Sequence, residues 1–237
     1  MIEEVVVEPM TEEFILWRCL HGGPLSCKTI DLLPEAFRLQ LEYFRARNVP
    51  LLRKLIQAYG TCAILARDGE MVVGQLRFYP KVLCAMNGGY LCLQQDHPFG
   101  PADGFVDSDF PEPPAIEDKT LSVHCLMTGS SQQAENPYQR KGIGTRMAKT
   151  LIRWAEANGW EHIEADAFED IPWIYEVTGS AGHTFWEKLG FHIADRHPHP
   201  HLQGHDEFVR KLEEQAKAVG ISPERARDRI VMRLDLV

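Results

Sequence analysis

The sequence predicts a mixed α/β (α+β) fold, and three observations carry that prediction. The 237 residues, 44% hydrophobic and 25% charged, have the balance of a folded globular chain rather than a disordered or fibrous one. Strand-like and helix-like segments alternate as strand, two helices, an antiparallel run of strands, then strand-helix-strand-helix-strand, which is a mixed arrangement. Ile143, Met147, Leu151 and Ala155 recur four apart, with Ala148 and Ile152 widening the apolar face of an unambiguous helix.

Taken in order, Glu4 to Glu8 reads as a strand, and Thr11 followed by Glu12 and Glu13 predicts a capped helix ending near His21-Gly-Gly-Pro24. A second helix is expected from Pro34-Glu35, with Phe37, Leu41 and Phe44 at helical spacing, broken or restarted at Asn48-Val-Pro50 on the way to Tyr59. Thr61 to Ala66 and Met71 to Tyr79 form a predicted hairpin about Asp68-Gly69. Val82 to Met86 and Tyr90 to Leu93 are strand candidates, and the Pro-, Gly- and Asp-rich 94–119 stretch is a long loop, either a substrate lid or a solvated insertion. Leu121 to Met127 is a strand, Gly144 to Asn158 the amphipathic helix stopped by Gly159, and Trp160 to Phe168 the next strand. A loop from Glu169 to Gly182, a short helix at His183 to Leu189, a strand at Phe191 to Ala194, a helical insertion near 203–228 with its helix at Asp206 to Ala218, and a last strand at Ile230 to Leu236 complete a single expected domain, 1–237.

A formal net charge of −9 argues against general nucleic-acid binding. No apolar run reaches the roughly 20 residues that span a bilayer, and Met-Ile-Glu-Glu-Val lacks the features of a signal peptide, so no membrane association and a cytoplasmic address are expected. Cysteines at 19, 27, 62, 84, 92 and 125 contain no C-x-x-C pair and read as free thiols, those at 62, 84, 92 and 125 as small hydrophobes in strand-like surroundings.

Against this acidic background, Asn136 to Ala155 contains no acid and five cations, Arg140, Lys141, Arg146, Lys149 and Arg153. A strand, a glycine-containing loop and a helix start form a site for a phosphate, because the first helical amides are unpaired donors and the helix dipole adds partial positive charge. Lys141 precedes the second glycine, so this is not a P-loop, and Met147 stands where a Rossmann fingerprint needs its third glycine. The pattern present is Gln139-x-x-Gly142-x-Gly144, with Tyr138 before it and a helix after it.

That pattern, together with Phe185-Trp-Glu-Lys-Leu-Gly-Phe191 and the strand-helix order, resembles the GNAT family of N-acetyltransferases. The resemblance implies a mixed, mostly antiparallel central sheet flanked by helices, and acetyl-CoA as the acyl donor. Its pyrophosphate would lie on the amides of Gln139, Arg140, Lys141, Gly142, Ile143, Gly144 and Thr145 with Arg146 adding charge, and its pantetheine arm along Leu126, Met127 and Thr128. The stretch Gly129 to Glu135 departs from the family pattern as an apparent insertion.

Acetyl transfer to an amine needs a base, because alkyl amines are mostly protonated near neutral pH, and a proton for the departing thiolate. His124 is one candidate base, although a hydrogen-bonded structural histidine fits the same residue; Glu164 and Asp166 on the following strand are others. Many family members carry a Tyr where this chain has Trp186, whose N–H donates a hydrogen bond but is no proton source near neutral pH. Tyr175 is the candidate replacement.

The His197-Pro-His-Pro-His201 stretch, with His205 and Asp206, invites a metal reading, but alternate prolines favour an extended segment that spreads the rings, and no metal is expected. The leading expectation is an enzyme acetylating a small amine or a protein amine. A noncatalytic acyl-CoA binding or sensing module is the alternative, transfer of a longer acyl group stays open, and so does a homodimer. Asp96, Asp103, Asp107, Asp109, Glu112, Glu117 and Asp118 would suit a cationic acceptor such as a polyamine, an aminoglycoside or a basic protein terminus, although a charge-rich loop is usually just soluble surface.

Overall fold

Seven strands lie in one sheet in the computed structural model, which describes residues 5–18, 20, 35–85, 113, 115–129, 136–178, 181–199, 202 and 204–236. The elements are β1 (Val6–Pro9), α1 (Glu35–Tyr59), β2 (Ala63–Asp68), β3 (Met71–Pro80), α2 (Lys81–Ala85), β4 (Thr120–Thr128), α3 (Ile143–Ala157) and β5 (His162–Ala167). They continue as α4 (Pro172–Thr178), α5 (His183–Glu187), β6 (His192–Pro198), α6 (Asp206–Ala218), α7 (Pro223–Ala226) and β7 (Asp228–Asp235). The sheet order is β1-β2-β3-β4-β5-β7-β6, with β4 and β5 parallel and the other neighbours antiparallel. The expected mixed, mostly antiparallel sheet flanked by helices is therefore the observed one.

Two cores sandwich the sheet. On one face α3 buries Ile143, Met147, Ala148, Leu151 and Ala155, the stripe its spacing predicts, against Leu76, Phe78, Leu121, Val123, Ile163 and Met232. On the other, Leu51, Leu52, Leu55 and Ile56 of α1 pack with Leu16, Trp17 and Leu65. A third cluster joins Ile174 of α4 to Leu212 and Ala216 of α6 and Ala226 of α7, so the helical insertion supports the segment after β5.

Several elements differ from the sequence reading. Thr11 to Phe14 is a turn closed by Phe14 N–H donating to Thr11 O at 3.1 Å, and no helix follows it over the described residues to Arg18. Distant side chains hold this segment instead: Arg77 donates to Leu16 O and Arg18 O, each at 2.8 Å, and Asn48 to Trp17 O at 2.9 Å. The helix α1 passes through Pro50 without a break. A proline inside a helix costs about 3 kcal/mol, which burial of the four apolar side chains after it offsets at roughly 1.5–3 kcal/mol each. The hairpin turn is centred one residue later than expected, on Gly69 and Glu70 between the paired Asp68 and Met71, with Gly69 at φ 58.

Val82 to Ala85, including Cys84, is helical in α2 rather than a strand, because a five-residue apolar run has no readable period. Pro172 begins a helix, α4, inside the expected 169–182 loop; proline is favoured at a first helical position, where its missing N–H has no intrahelical partner to lose. His197 and Pro198 belong to β6, paired with Arg229 and Asp228, so the sheet rather than a polyproline segment holds the start of the His-Pro stretch. Pro200 and His201, the second strand candidate at 90–93, and the 94–119 loop apart from 113 and 115–119 lie outside the described residues.

Candidate active site

The strand β4 carries a bulge. Its register with β3 passes from Arg77↔Cys125 to Phe78↔Val123, which leaves His124 as the extra residue. Leu121 and Val123 face the α3 core, but after the extra residue it is Leu126 that does so, while Cys125 and Met127 face the α1 core. A bulge increases local twist and re-aims a side chain. His124 is exposed, its ring 6.0 Å from that of Tyr79.

The ladder between β4 and β5 ends at the same place. It runs from Thr120↔His162 to Val123↔Ala165; beyond that, β4 continues beside β3 to Thr128 and β5 beside β7 to Ala167. The sheet is thus split between its only described parallel pair, from His124 onward.

Beside that split stands the start of α3. Its N-cap is Gly142, at φ 76 and without a side chain to cap the first amides of the helix, whereas the Gln139 N–H, expected in the same cradle, donates to Asn136 O at 3.3 Å. Gln139, Arg140, Lys141, Gly142 and Arg146 are exposed, whereas the Ile143 side chain is 1% exposed and offers only its backbone. Arg140 also takes a left-handed conformation, φ 57. A Cβ built on Gly144 would lie 4.0 Å from Thr128 Cγ2, so the loop and the end of β4 adjoin. The Arg146 guanidinium donates to Val5 O at 2.7 Å and so is partly committed to the sheet edge. Of the proposed pantetheine strand, Thr128 O already accepts from Asn136 Nδ2 at 2.9 Å, which removes one acceptor.

Glu164, 8% exposed, faces away from α3; Lys81 Nζ lies 2.8 Å from its Oε2 and Arg233 Nη1 3.2 Å from its Oε1. Its lone pairs are committed to two cations. Asp166 is exposed and paired with Arg229 at 2.7 Å. Tyr175 is exposed on α4. Trp186 is 2% exposed in the α3 core between Phe185 and Phe191, and among the described residues its Nε1 has no hydrogen-bond partner.

Burial pushes the Cys62 thiol up to about 12, against the opposing pull of Arg77, which makes it inert. Among the described residues no group of His, Cys, Asp or Glu is arranged to hold a metal ion, and no helix is long and apolar enough to cross a membrane. His197 lies 3.4 Å from Asp195, and the His199 ring stacks on Phe168.

The sequence reading missed the residues that hold the glycine loop. Asn136 and Tyr138 bond to the end of β4 and to Asp68 respectively. Asn136-Pro137 is a recognisable turn-initiating pair, but Asp68 carries no local signal for a partner 70 positions away.

No protein-family model matches the chain, and no curated protein does. Solved structures similar to it include an aminoglycoside 6'-acetyltransferase type Ii, 14% identical over 98% of this chain and 97% of that one, TM-score 0.44. A GNAT family acetyltransferase from Elizabethkingia anophelis with acetyl-CoA bound is 14% identical over 99% of both chains, TM-score 0.43. An N-acetyltransferase from Staphylococcus aureus Mu50 is 13% identical over 98% of this chain and 99% of that one, TM-score 0.44.

Proposed function

We propose that this chain is an acetyl-CoA-dependent N-acetyltransferase of the GNAT type that acetylates a primary amine by direct attack on the thioester. The observation that carries the reading is the split between β4 and β5 opening at the His124 bulge beside the uncapped start of α3. An extended thiol-bearing arm fits a gap between two strands, and a pyrophosphate fits amides at a helix start among Arg140 and Lys141. The two features adjoin at Gly144 and Thr128, which supports reading them as holding two ends of one ligand.

In this reading the amides of Arg140 to Thr145 hold the pyrophosphate, the Gln139 N–H being taken by Asn136 O, and Leu126, Met127 and the N–H of Thr128 offer an edge to the pantetheine arm. The neutral amine nitrogen attacks the thioester carbonyl carbon, the C–S bond breaks, and sulfur leaves as thiolate. His124 accepts the proton lost by nitrogen, and Tyr175 supplies one to sulfur. Glu164, paired with Ser122 two positions before His124 and held by Lys81 and Arg233, has to give up an ion pair before it can take a proton. We place the protein in the cytoplasm.

Calorimetric titration with CoA, followed by free-thiol release from acetyl-CoA across an amine panel, tests the proposal. Binding with acceptor-dependent release supports it; absence of CoA binding overturns it. The buried Trp186 in the closing motif favours one alternative, a noncatalytic acyl-CoA binding module. Tight CoA binding without acceptor-dependent release selects that module.

A further inference from the structure

Upstream of the α3 start, three side chains tie the glycine loop to two separate places on the sheet. Asn136 Oδ1 accepts the Tyr138 N–H at 3.0 Å while its Nδ2 donates to Thr128 O at 2.9 Å, at the end of β4. Tyr138 Oη donates to Asp68 Oδ2 at 2.8 Å, at the turn joining β2 to β3. The fit around Asn136 is close: a Cβ on Gly129, itself at φ 69, would overlap the Asn136 side chain. Immediately downstream come the two left-handed residues, Arg140 and Gly142. A non-glycine residue in that region persists only where its surroundings over-determine it, and these ties are what the surroundings provide.

Asp68 is an acid bonded to the residue next to a loop read as an anion cradle, a charge that opposes anion binding electrostatically. Its carboxylate makes the hydrogen bond to Tyr138 a charge-assisted one, shorter and stronger than a neutral pair. Without that anchor, the loop ahead of Gly142 is held from the Asn136 end, while Ile143 and Arg146 hold only its far side.

We propose that Asp68 and Tyr138 are positioning residues for CoA binding, holding the 139–142 turn that leads into the first amides of α3 although neither touches the ligand. The inference rests on the acetyl-CoA reading above. Its general consequence is that affinity for the donor depends on a hairpin turn remote in sequence from the glycine motif.

Calorimetry with CoA and steady-state kinetics with acetyl-CoA on wild type, Tyr138→Phe, Asp68→Ala and Asp68→Asn test it. The expected result for Y138F and D68A is a Kd for CoA raised about tenfold, equivalent to about 1.4 kcal/mol, with KM following and kcat within about twofold of wild type. D68N keeps an acceptor for the Tyr138 hydroxyl and restores affinity. Y138F removes one oxygen and leaves the ring, so it reports even where D68A is too unstable to purify. Wild-type affinity in Y138F overturns the proposal, as does a fall in kcat and melting temperature with no change in Kd. Wild-type protein that binds no CoA overturns the acetyl-CoA reading instead.

Discussion

Val123 faces Ala165 in the last rung of the parallel ladder, and the next residue, His124, is the one that the β3 register skips. The bulge therefore does two things at once: it opens the sheet and turns an imidazole outward. Replacing His124 by Ala removes the proposed base while leaving the backbone bulge in place. Since a positioned general base contributes about 10²–10⁴ in rate, kcat is expected to fall at least about 100-fold near neutral pH with the KM for acetyl-CoA unchanged. Activity should recover as pH rises towards the amine's own pKa. A variant with wild-type turnover removes His124 from the chemistry.

The two glycines of the motif are expected to respond differently to alanine. Gly142 sits at φ 76, a conformation that costs a residue with a Cβ about 1–2 kcal/mol, although the space around it is open. Gly144 has no such backbone constraint, and a Cβ there makes an ordinary 4.0 Å contact with Thr128. Gly142→Ala should lower CoA affinity by shifting the first amides, whereas Gly144→Ala should fold at least as well as wild type, since Ala favours a helix over Gly by about 1 kcal/mol. Melting curves and CoA titrations of both variants separate the cases; equal behaviour would show that backbone conformation is not what Gly142 supplies.

The elements that frame the candidate site were legible because their signals are local. The α3 stripe and the glycine spacing can be read within one helical turn of each other, and the face predicted for Ile143, Met147, Leu151 and Ala155 is the buried one. The bulge left a trace that alternation alone did not decode: apolar residues facing α3 fall at 121 and 123, then at 126, a slip of one residue. Local propensity could not reveal what depends on distant partners. Arg77 and Asn48 reach from β3 and α1 to hold the carbonyls of Leu16, Trp17 and Arg18, and the pairing of Asp68 exists only because Tyr138 arrives beside it. Short elements failed for a different reason, since Lys81–Ala85 is too brief for its period to be distinguished from a strand.

Trp186 provides a test of whether the closing motif takes part in the chemistry. Its indole is buried against Phe185 and Phe191, with no hydrogen-bond partner for Nε1 among the described residues. Trp186→Phe is expected to lose packing rather than a proton donor, lowering stability by roughly 1–3 kcal/mol, with kcat at saturating substrates within about twofold of wild type. Chemical denaturation and kinetics read the two effects separately. A large fall in kcat in a stably folded variant would place the indole N–H at the reacting atoms.

Glu169 governs the expected acid sensitivity of the region behind the site. Desolvation pushes its carboxyl up, but hydrogen bonds and charges from Arg196 and Arg225 outweigh it and leave the group below the ordinary glutamate value of 4.5. Arg196 Nη1 lies 2.5 Å from Oε1, Arg225 Nη2 2.8 Å from the same oxygen, and His183 Nε2 3.4 Å from Oε2. These contacts fasten the segment after β5 to α5, β6 and the helical insertion. Because the folded value is depressed, folding releases protons: the stabilisation is complete above the unfolded glutamate range and is lost as pH falls through the folded value, below 4.5. Glu169→Gln removes the charge and should lower stability at neutral pH by roughly 1.5–3 kcal/mol, the worth of hydrogen bonds to a charged group, while flattening the loss of stability between pH 5 and pH 3. Denaturant unfolding of both proteins across that range checks the sign: a variant whose stability falls with acid as steeply as wild type assigns the titration to other carboxylates, such as Asp235 beside Arg233 and His162.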